Sequence, residues 1–379
     1  MSFRTRAAPA ALALALAACG EHPPVETVQT GFRGTGMEQV YNPRVLKEKF
    51  DSTAAAIPQD LPPLPRAAPG QVAASQQPAG PSPWKNVQVL NDISPGELTR
   101  TMVAMTAWVS PEQGCNYCHV VRNGATDFAS DSIYTKVVSR QMLRMTREIN
   151  GQWRNHVANT GVTCYTCHGG KPVPQNVWFF TDRNQPLRHY LDRQDLRVQS
   201  ASMTPSNANR SSIKQTEYTY ALMISMSRAL GVNCTYCHNS PRWGSWEEST
   251  PQRLTALRGI RMVRELNNGY LLPLQPVFPA QRLGPHGDVP KIQCATCHNG
   301  AYKPLYGRAM AQGYPALYAQ AAPPTHAVVP GTAGGPDGAP TIPADTARRA
   351  AGDTASAAGA RTSLRIIASP HVAARERGP

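Results

Sequence analysis

Four copies of one five-residue pattern constrain this 379-residue chain more than anything else in it. Cys-x-x-Cys-His recurs at residues 115–119, 164–168, 234–238 and 294–298. The repeats use eight of nine cysteines: Cys115, Cys118, Cys164, Cys167, Cys234, Cys237, Cys294 and Cys297. They place His119, His168, His238 and His298 directly behind each second cysteine. This spacing is that of c-type haem attachment. Each sulfur can add to one porphyrin vinyl, and the following imidazole meets the iron axially. Zinc ribbons and disulfide or thioredoxin-type pairs also use Cys-x-x-Cys, but neither needs a His after every second cysteine. The chain therefore reads as a multihaem cytochrome c with four covalently bound haem c groups. These macrocycles would supply much of the core.

Covalent haem attachment takes place outside the cytoplasm, so export is expected. Residues 1–18 read as a signal peptide: Arg4 and Arg6, then an apolar run too short to span a membrane. The run ends in Leu16-Ala17-Ala18-Cys19-Gly20, which is similar to a bacterial lipobox and makes Cys19 the lipidation site. An ordinary signal peptide with an unused Cys19 is the plainer alternative. Anchoring by lipid, not by a spanning helix, follows from the first reading. Residues 19–85, rich in Pro, Ala and Gln, read as a lipid-anchored extended arm. Residues 86–310 form the tetrahaem domain. Residues 311–379, dominated by Ala, Pro, Gly and Thr, read as a tail that is disordered or lies on a partner. The formal net charge of +14 suits an acidic partner or anionic lipid, or simply a basic exported protein. No nucleic-acid motif is present.

Whether such a chain carries electrons or performs catalysis depends on the sixth iron ligand. Met102-x-x-Met105, Met142-x-x-Met145 and Met223-x-x-Met226 precede the first three motifs in segments of helical character. Ser94-Pro95-Gly96-Glu97 is a helix-start signal for the first. Aligning residues 145–150 (MTREIN) with 262–267 (MVRELN) fixes the register for the fourth, where Gly259 replaces the first Met. Positions i and i+3 share a helix face, so either Met could reach a haem. Met at helical spacing is also commonly plain core. The first of each pair, Met102, Met142 and Met223, is the chosen set. For the fourth site His156 is the candidate, 14 residues after Met142 and expected on the same face of the same helix. His286 and His189 are its rivals. Motifs one and three share Tyr117 and Tyr236, while two and four share Thr166 and Thr296 with a trailing Gly and Lys-Pro. The pattern reads as a duplicated two-haem unit. The fold class expected is mainly α with much irregular structure and little β: four helix–loop–motif units in two pseudo-two-fold-related pairs.

Most of residues 19 to 310, through "LTRTMVAMTAWVSPEQGCNYCH", "MLRMTREINGQWRNHVANTGVTCYTCHGGKP", "ALMISMSRALGVNCTYCHNS", "STPQRLTALRGIRMVRELNNGYLLPL" and "CATCHNGAYKPLYG", resembles the tetrahaem cytochrome c subunit of quinone-type, purple-bacterial photosynthetic reaction centres. The resemblance implies axial pairs Met102/His119, Met142/His168 and Met223/His238, with His156/His298 the bis-His pair. It implies a line of haems ordered third, fourth, second and first away from the membrane. It implies that Arg253 lies beside the third haem, facing the chlorophyll pair at an electron-transfer interface. The implied function is electron transfer, not enzyme catalysis. A chain anchored at the periplasmic face would re-reduce the photo-oxidised chlorophyll pair of the reaction-centre membrane subunits. Its electrons would come from a small soluble c-type cytochrome or a high-potential iron–sulfur protein. The competing readings are a catalytic multihaem reductase, which needs an open iron, and a periplasmic electron conduit with no photosystem.

Overall fold

The computed structural model describes residues 25–29, 38–64, 84–181, 185–191 and 213–318. The signal segment, Cys19 and the tail beyond residue 318 lie outside the described residues. The described residues begin with an antiparallel strand pair, β1 (Glu26–Gln29) with β2 (Glu38–Tyr41), pairing Glu26 with Tyr41. Helix α1 (Pro43–Ala56) follows. Asn42 caps it by accepting from the amides of Arg44 and Val45, and Pro43 supplies the preset φ of a first turn. Strand pair and helix lie within the segment read from composition as an extended arm. No residue of α1 is buried, which is why no amphipathic signal betrayed it. Its end is fixed by Tyr165, whose hydroxyl donates to the Ala56 carbonyl at 2.7 Å.

Four longer helices each precede one Cys-x-x-Cys-His motif. They are α2 (Pro95–Val109), α3 (Tyr134–Gln152), α6 (Ile213–Leu230) and α7 (Pro251–Leu266). The start of α2 follows its sequence signal in part. Ser94 accepts from the Glu97 amide at 3.3 Å, while the Glu97 carboxylate turns to Arg100 instead of back to the cap. Between α2 and α3 lies a small hairpin, β3 (Val120–Arg122) with β4 (Ala125–Asp127), turned by Asn123 and Gly124 at positive φ. After α3 come two short helices, α4 (Arg154–Val157) and α5 (Cys164–His168), and after α7 a π-helical turn, Asn267–Leu271, and then α8 (Cys294–His298). The described chain is mostly helical with little strand, as the sequence led one to expect. Among the described residues no helix is long and apolar enough to cross a membrane.

Two apolar clusters form the core. One gathers Ile149, Trp178, Tyr190, Leu222, Leu266 and Tyr270; the other gathers Leu90, Trp108, Leu143, Tyr165, Tyr314 and Leu317. Helix α3 feeds both, through Ile149 and Leu143. Two buried arginines close the second cluster. Arg147 donates to the carbonyls of Ala316 and Val89 and to Asp92, each at 2.8 Å. Arg100 donates to the carbonyls of Pro62, Leu61 and Gly313 and lies over the Tyr314 ring at 4.1 Å. A buried guanidinium is tolerated only when its donors are satisfied, so these two side chains stitch residues 61–62, 89–92 and 313–316 to the helices. The packed core thus runs to Leu317, past the boundary at 310 that composition suggested.

Candidate haem sites

The four motifs adopt two local forms, and these follow the sequence pairing. Motifs two and four are single-turn α-helices, α5 and α8, each held at its start by the threonine three residues in. Thr163 and Gln293 donate their amides to the hydroxyls of Thr166 and Thr296, both at 3.0 Å. This is why both carry Thr at the third position. Motifs one and three are 3-10 turns, and the carbonyls of Tyr117 and Tyr236 accept from the hydroxyls of Thr135 and Thr250 at 2.5 and 2.6 Å.

The duplicated register also recurs, bond by bond, at an asparagine that the sequence reading overlooked. Asn150 accepts from the Val162 amide at 2.7 Å and donates back to its carbonyl; Asn267 does the same to Ile292. Val162 and Ile292 each stand two residues before a motif cysteine. Both asparagines are almost fully buried, at 1% and 0% exposure. Asn150 clamps the end of α3, and Asn267 the turn after α7, to the entry of the next motif. The available signal was the shared Asn in MTREIN and MVRELN.

One continuous, largely apolar cavity of about 970 Å³ reaches the cysteines and histidines of motifs one, two and four. Met102, Met142 and His156 line it, as do Met105, Met145 and Met226. Both members of the first two Met pairs therefore face the same space, and the choice of Met102 and Met142 rests on the repeat comparison and the family resemblance. Met223, Cys234, Cys237 and His238 do not line this cavity; of the third motif Tyr236 reaches it. That motif is half-buried, and its Thr235 and the preceding Asn233 are bonded to Gln39 of β2.

At the fourth site the structure brings His156 and His298 together, ring centres 6.2 Å apart. Two imidazoles holding one metal from opposite sides, with bonds of roughly 2 Å each plus about 1 Å to each ring centre, stand at about this separation. The His156 ring occupies the space above Gly259. A Cβ there would lie 2.5 Å from His156 Cε1 and 3.1 Å from both ring nitrogens. The repeat position that carries Met142 in α3 is thus glycine in α7 because an imidazole from another element fills the place. His156 does not, however, share the helix of Met142 as the 14-residue spacing predicts. Helix α3 ends at Gln152, and Trp153, at φ −100° and ψ 26°, breaks the run before α4. His156 is aimed by α4 and by a bond between its Nδ1 and the Thr255 carbonyl at 3.0 Å. Of the rivals, His286 is exposed, and His189 is buried in the 3-10 segment Gln185–Tyr190.

The imidazoles are prepared to bind metal through Nε2. His168 and His298 direct Nδ1 at the carbonyls of Lys171 and Ala301, three residues on, at 2.8 and 2.9 Å; His238 directs it at Trp243, five residues on, at 3.1 Å. Such a bond fixes the tautomer and leaves Nε2 free. His119 differs: its buried Nδ1 has no partner among the described residues, and its ring meets Phe128 edge-on. Burial lowers the pKa of all these rings, that of His298 to about 4, with His156 beside it adding to the effect. They are neutral at pH 7, as ligands must be. Spacing, tautomer, protonation and an apolar cavity all suit haem. Among the described residues no three His, Cys, Asp or Glu converge on one point.

Two of the expected thioether cysteines, Cys167 and Cys297, are joined as a disulfide in this structure, with Cα atoms 4.4 Å apart. A sulfur cannot hold both bonds at once. Their adjacency places motifs two and four side by side. Arg253 turns to the loop behind the third motif, donating to Ser245 O and Ser249 Oγ and stacking on Trp246 at 4.0 Å. Another cation went unnoticed in the sequence: Lys291, fully buried, pairs with Asp288 inside a wall of Trp178 and Phe180. The mutual backbone bonds of Trp178 and Lys291 tie the exit of motif two to the entry of motif four.

The family model described as "photosynthetic reaction centre cytochrome C subunit" matches residues 21–186 and 181–318. The chain is 46% identical over 336 residues to the photosynthetic reaction center cytochrome c subunit of Rubrivivax gelatinosus, covering 81% of this chain and 87% of that one. It is 43% identical to the protein of that name from Thermochromatium tepidum, over 84% of this chain and 81% of the relative. A third, from Roseobacter denitrificans, is 37% identical over 82% and 90%.

Proposed function

Because the chain belongs to the family of photosynthetic reaction centre cytochrome c subunits, we propose that it re-reduces the photo-oxidised chlorophyll pair of a reaction centre, drawing electrons from a soluble carrier through four c-type haems. Membership alone carries the coarser statement: a haem-bearing, electron-transferring component of photosynthesis, associated with the reaction centre and so with a membrane. The finer reading places the chain at the periplasmic face, held by a lipid on Cys19. Its divisions would be a signal at 1–18, an arm at 19–85, the tetrahaem domain from 86 and a tail after the packed core ends.

Bound haem iron supplies reversible one-electron exchange. The chain's own residues hold and tune it. We assign the eight motif cysteines to thioether bonds, each formed by redox-neutral addition of a thiol across a vinyl; Cys167 and Cys297 must therefore enter as thiols, their disulfide first taking two electrons and two protons from a thiol reductant. The axial pairs are Met102/His119, Met142/His168, Met223/His238 and His156/His298. A thioether sulfur donates more weakly than an imidazole and favours the ferrous state, so the three Met/His sites should sit at higher potential than the bis-His site. The packing of helices α5 and α8 supports an approximate two-fold relation between the motif pairs. With every iron given two protein ligands, no position is left for a substrate, which favours a carrier over a reductase.

The observation that carries the ligand reading is His156 seated over Gly259 and facing His298. The first test is the mass of the mature chain after detergent extraction with the chlorophyll-binding subunits. Four haems, no disulfide and a diacylglycerol adduct are expected. Fewer haems with a retained disulfide would overturn the count, and purification free of chlorophyll proteins would favour a dark conduit.

A further inference from the structure

The third motif differs from the others in what covers its histidine. The indole of Trp243 lies parallel to the His238 ring, with 4.7 Å between ring centres and 4° between planes. The same residue's carbonyl receives the His238 Nδ1–H at 3.1 Å. One residue thus fixes the tautomer and covers a face of the ring. Motifs two and four reach the first end with a plain turn to residue i+3 and show no stacked partner among the described residues. The sequence-paired first motif has an aromatic neighbour, Phe128, but it stands edge-on at 67° and 5.0 Å, with no Nδ1 acceptor.

Trp243 is held where it is. Arg253 donates to the carbonyls of Ser245 and Gly244 and to Ser249 Oγ, clamping the stretch that follows Trp243. Arg242, directly before it, pairs with Glu248 across the same loop at 3.1 Å. Trp243 remains 45% exposed, so its indole forms a boundary between the imidazole and water.

Resting on the assignment of Met223 and His238 as an axial pair, we propose that Trp243 is the positioning residue of the third haem, setting the plane of the His238 imidazole and raising that haem's potential by excluding water. An outer partner that orients a ligating His and controls solvent access tunes the metal it serves. Shielding from water disfavours ferric iron, which carries the extra charge. Parallel contact between aromatic planes resists rotation of the smaller ring.

The experiment is a redox titration of the full chain in its reaction-centre complex, followed by electron paramagnetic resonance of the low-spin ferric signals, for Trp243→Ala and Trp243→Phe. In Trp243→Ala the third haem's midpoint should fall and its g-anisotropy change, with the other three unmoved. Trp243→Phe, which keeps an aromatic face, should restore both. Unchanged potential and signal in Trp243→Ala would overturn the proposal. So would an equal shift in Trp243→Phe, or loss of the third haem from both variants, which would mark a purely architectural residue. Met223→His identifies the third signal independently. If that exchange moves no signal, the axial pairing is at fault, not the role of Trp243.

Discussion

Replacing Gly259 by alanine sets two physical effects of opposite sign against each other. In the interior of a helix such as α7, Gly→Ala ordinarily stabilises by about 1 kcal/mol, through backbone entropy and propensity. Here the new Cβ would lie 2.5 Å from His156 Cε1. The ring would have to recede by about 0.9 Å, the gap between 2.5 Å and the 3.4 Å at which ordinary contact begins. It has little freedom to do so, because Nδ1 is bonded to the Thr255 carbonyl and its other side faces His298. Overpacking of this kind costs about 1–3 kcal/mol, enough to cancel the propensity gain or exceed it. The displaced ring would no longer address the fourth iron squarely. Spectroelectrochemistry of Gly259→Ala should therefore show one perturbed haem, the bis-His one, with weakened or lost His156 ligation, and no gain in thermal stability. A wild-type fourth-haem spectrum together with a protein stabilised by about 1 kcal/mol would refute the reasoning. The imidazole would then not be locked over that glycine.

Exchange of Met223 for His should lower the potential of the third haem and slow recovery of the chlorophyll pair, measured by titration and flash kinetics; an unchanged potential would remove Met223 from the ligand set. Asn150→Ala or Asn267→Ala should each destabilise the chain by about 2–4 kcal/mol in guanidinium unfolding, since each leaves a buried amide and carbonyl unpaired, whereas a loss under 0.5 kcal/mol would show that water replaces the clamp. Acidification should weaken the protein below about pH 6.5. Burial alone holds the pKa of the His298 ring down to about 4, and iron on Nε2 would hold it lower still, while the unfolded, unligated ring takes up its proton near the ordinary His value of 6.5; folded stability is whole above 6.5 and declines as pH falls below it. Unfolding midpoints at pH 7 and pH 5 check the sign.

The parts of this account that rest on covalent geometry were legible in the sequence. The cysteine spacing, the Ser94-Pro95 helix start and the duplicated register all depend on short-range pattern, which a one-dimensional reading sees. Contacts between distant segments were not legible. The short helix α1 buries nothing, so its Pro- and Ala-rich surroundings read as an arm. Tyr314 and Leu317 sit in a stretch of biased composition, and their burial in the second cluster, with the bonds of Arg100 and Arg147 to that stretch, reveals that it belongs to the core. His156 was chosen for a helical spacing that the break at Trp153 removes; what places it is the vacant Cβ of Gly259, a relation between residues more than 100 positions apart. The Trp243–His238 stack belongs to the same class, since nothing in the run from 238 to 243 says that the loop folds back.

The central claim is that this chain is the immediate electron donor to the photo-oxidised chlorophyll pair. Flash-induced absorbance change in native membranes, followed in the reduced c-haem bands, tests it most directly. The account predicts haem bleaching matched in time to recovery of the oxidised pair, and its disappearance when the chain is deleted. No haem oxidation after a flash, with all four haems present and reduced beforehand, would contradict it and leave a dark electron conduit in its place.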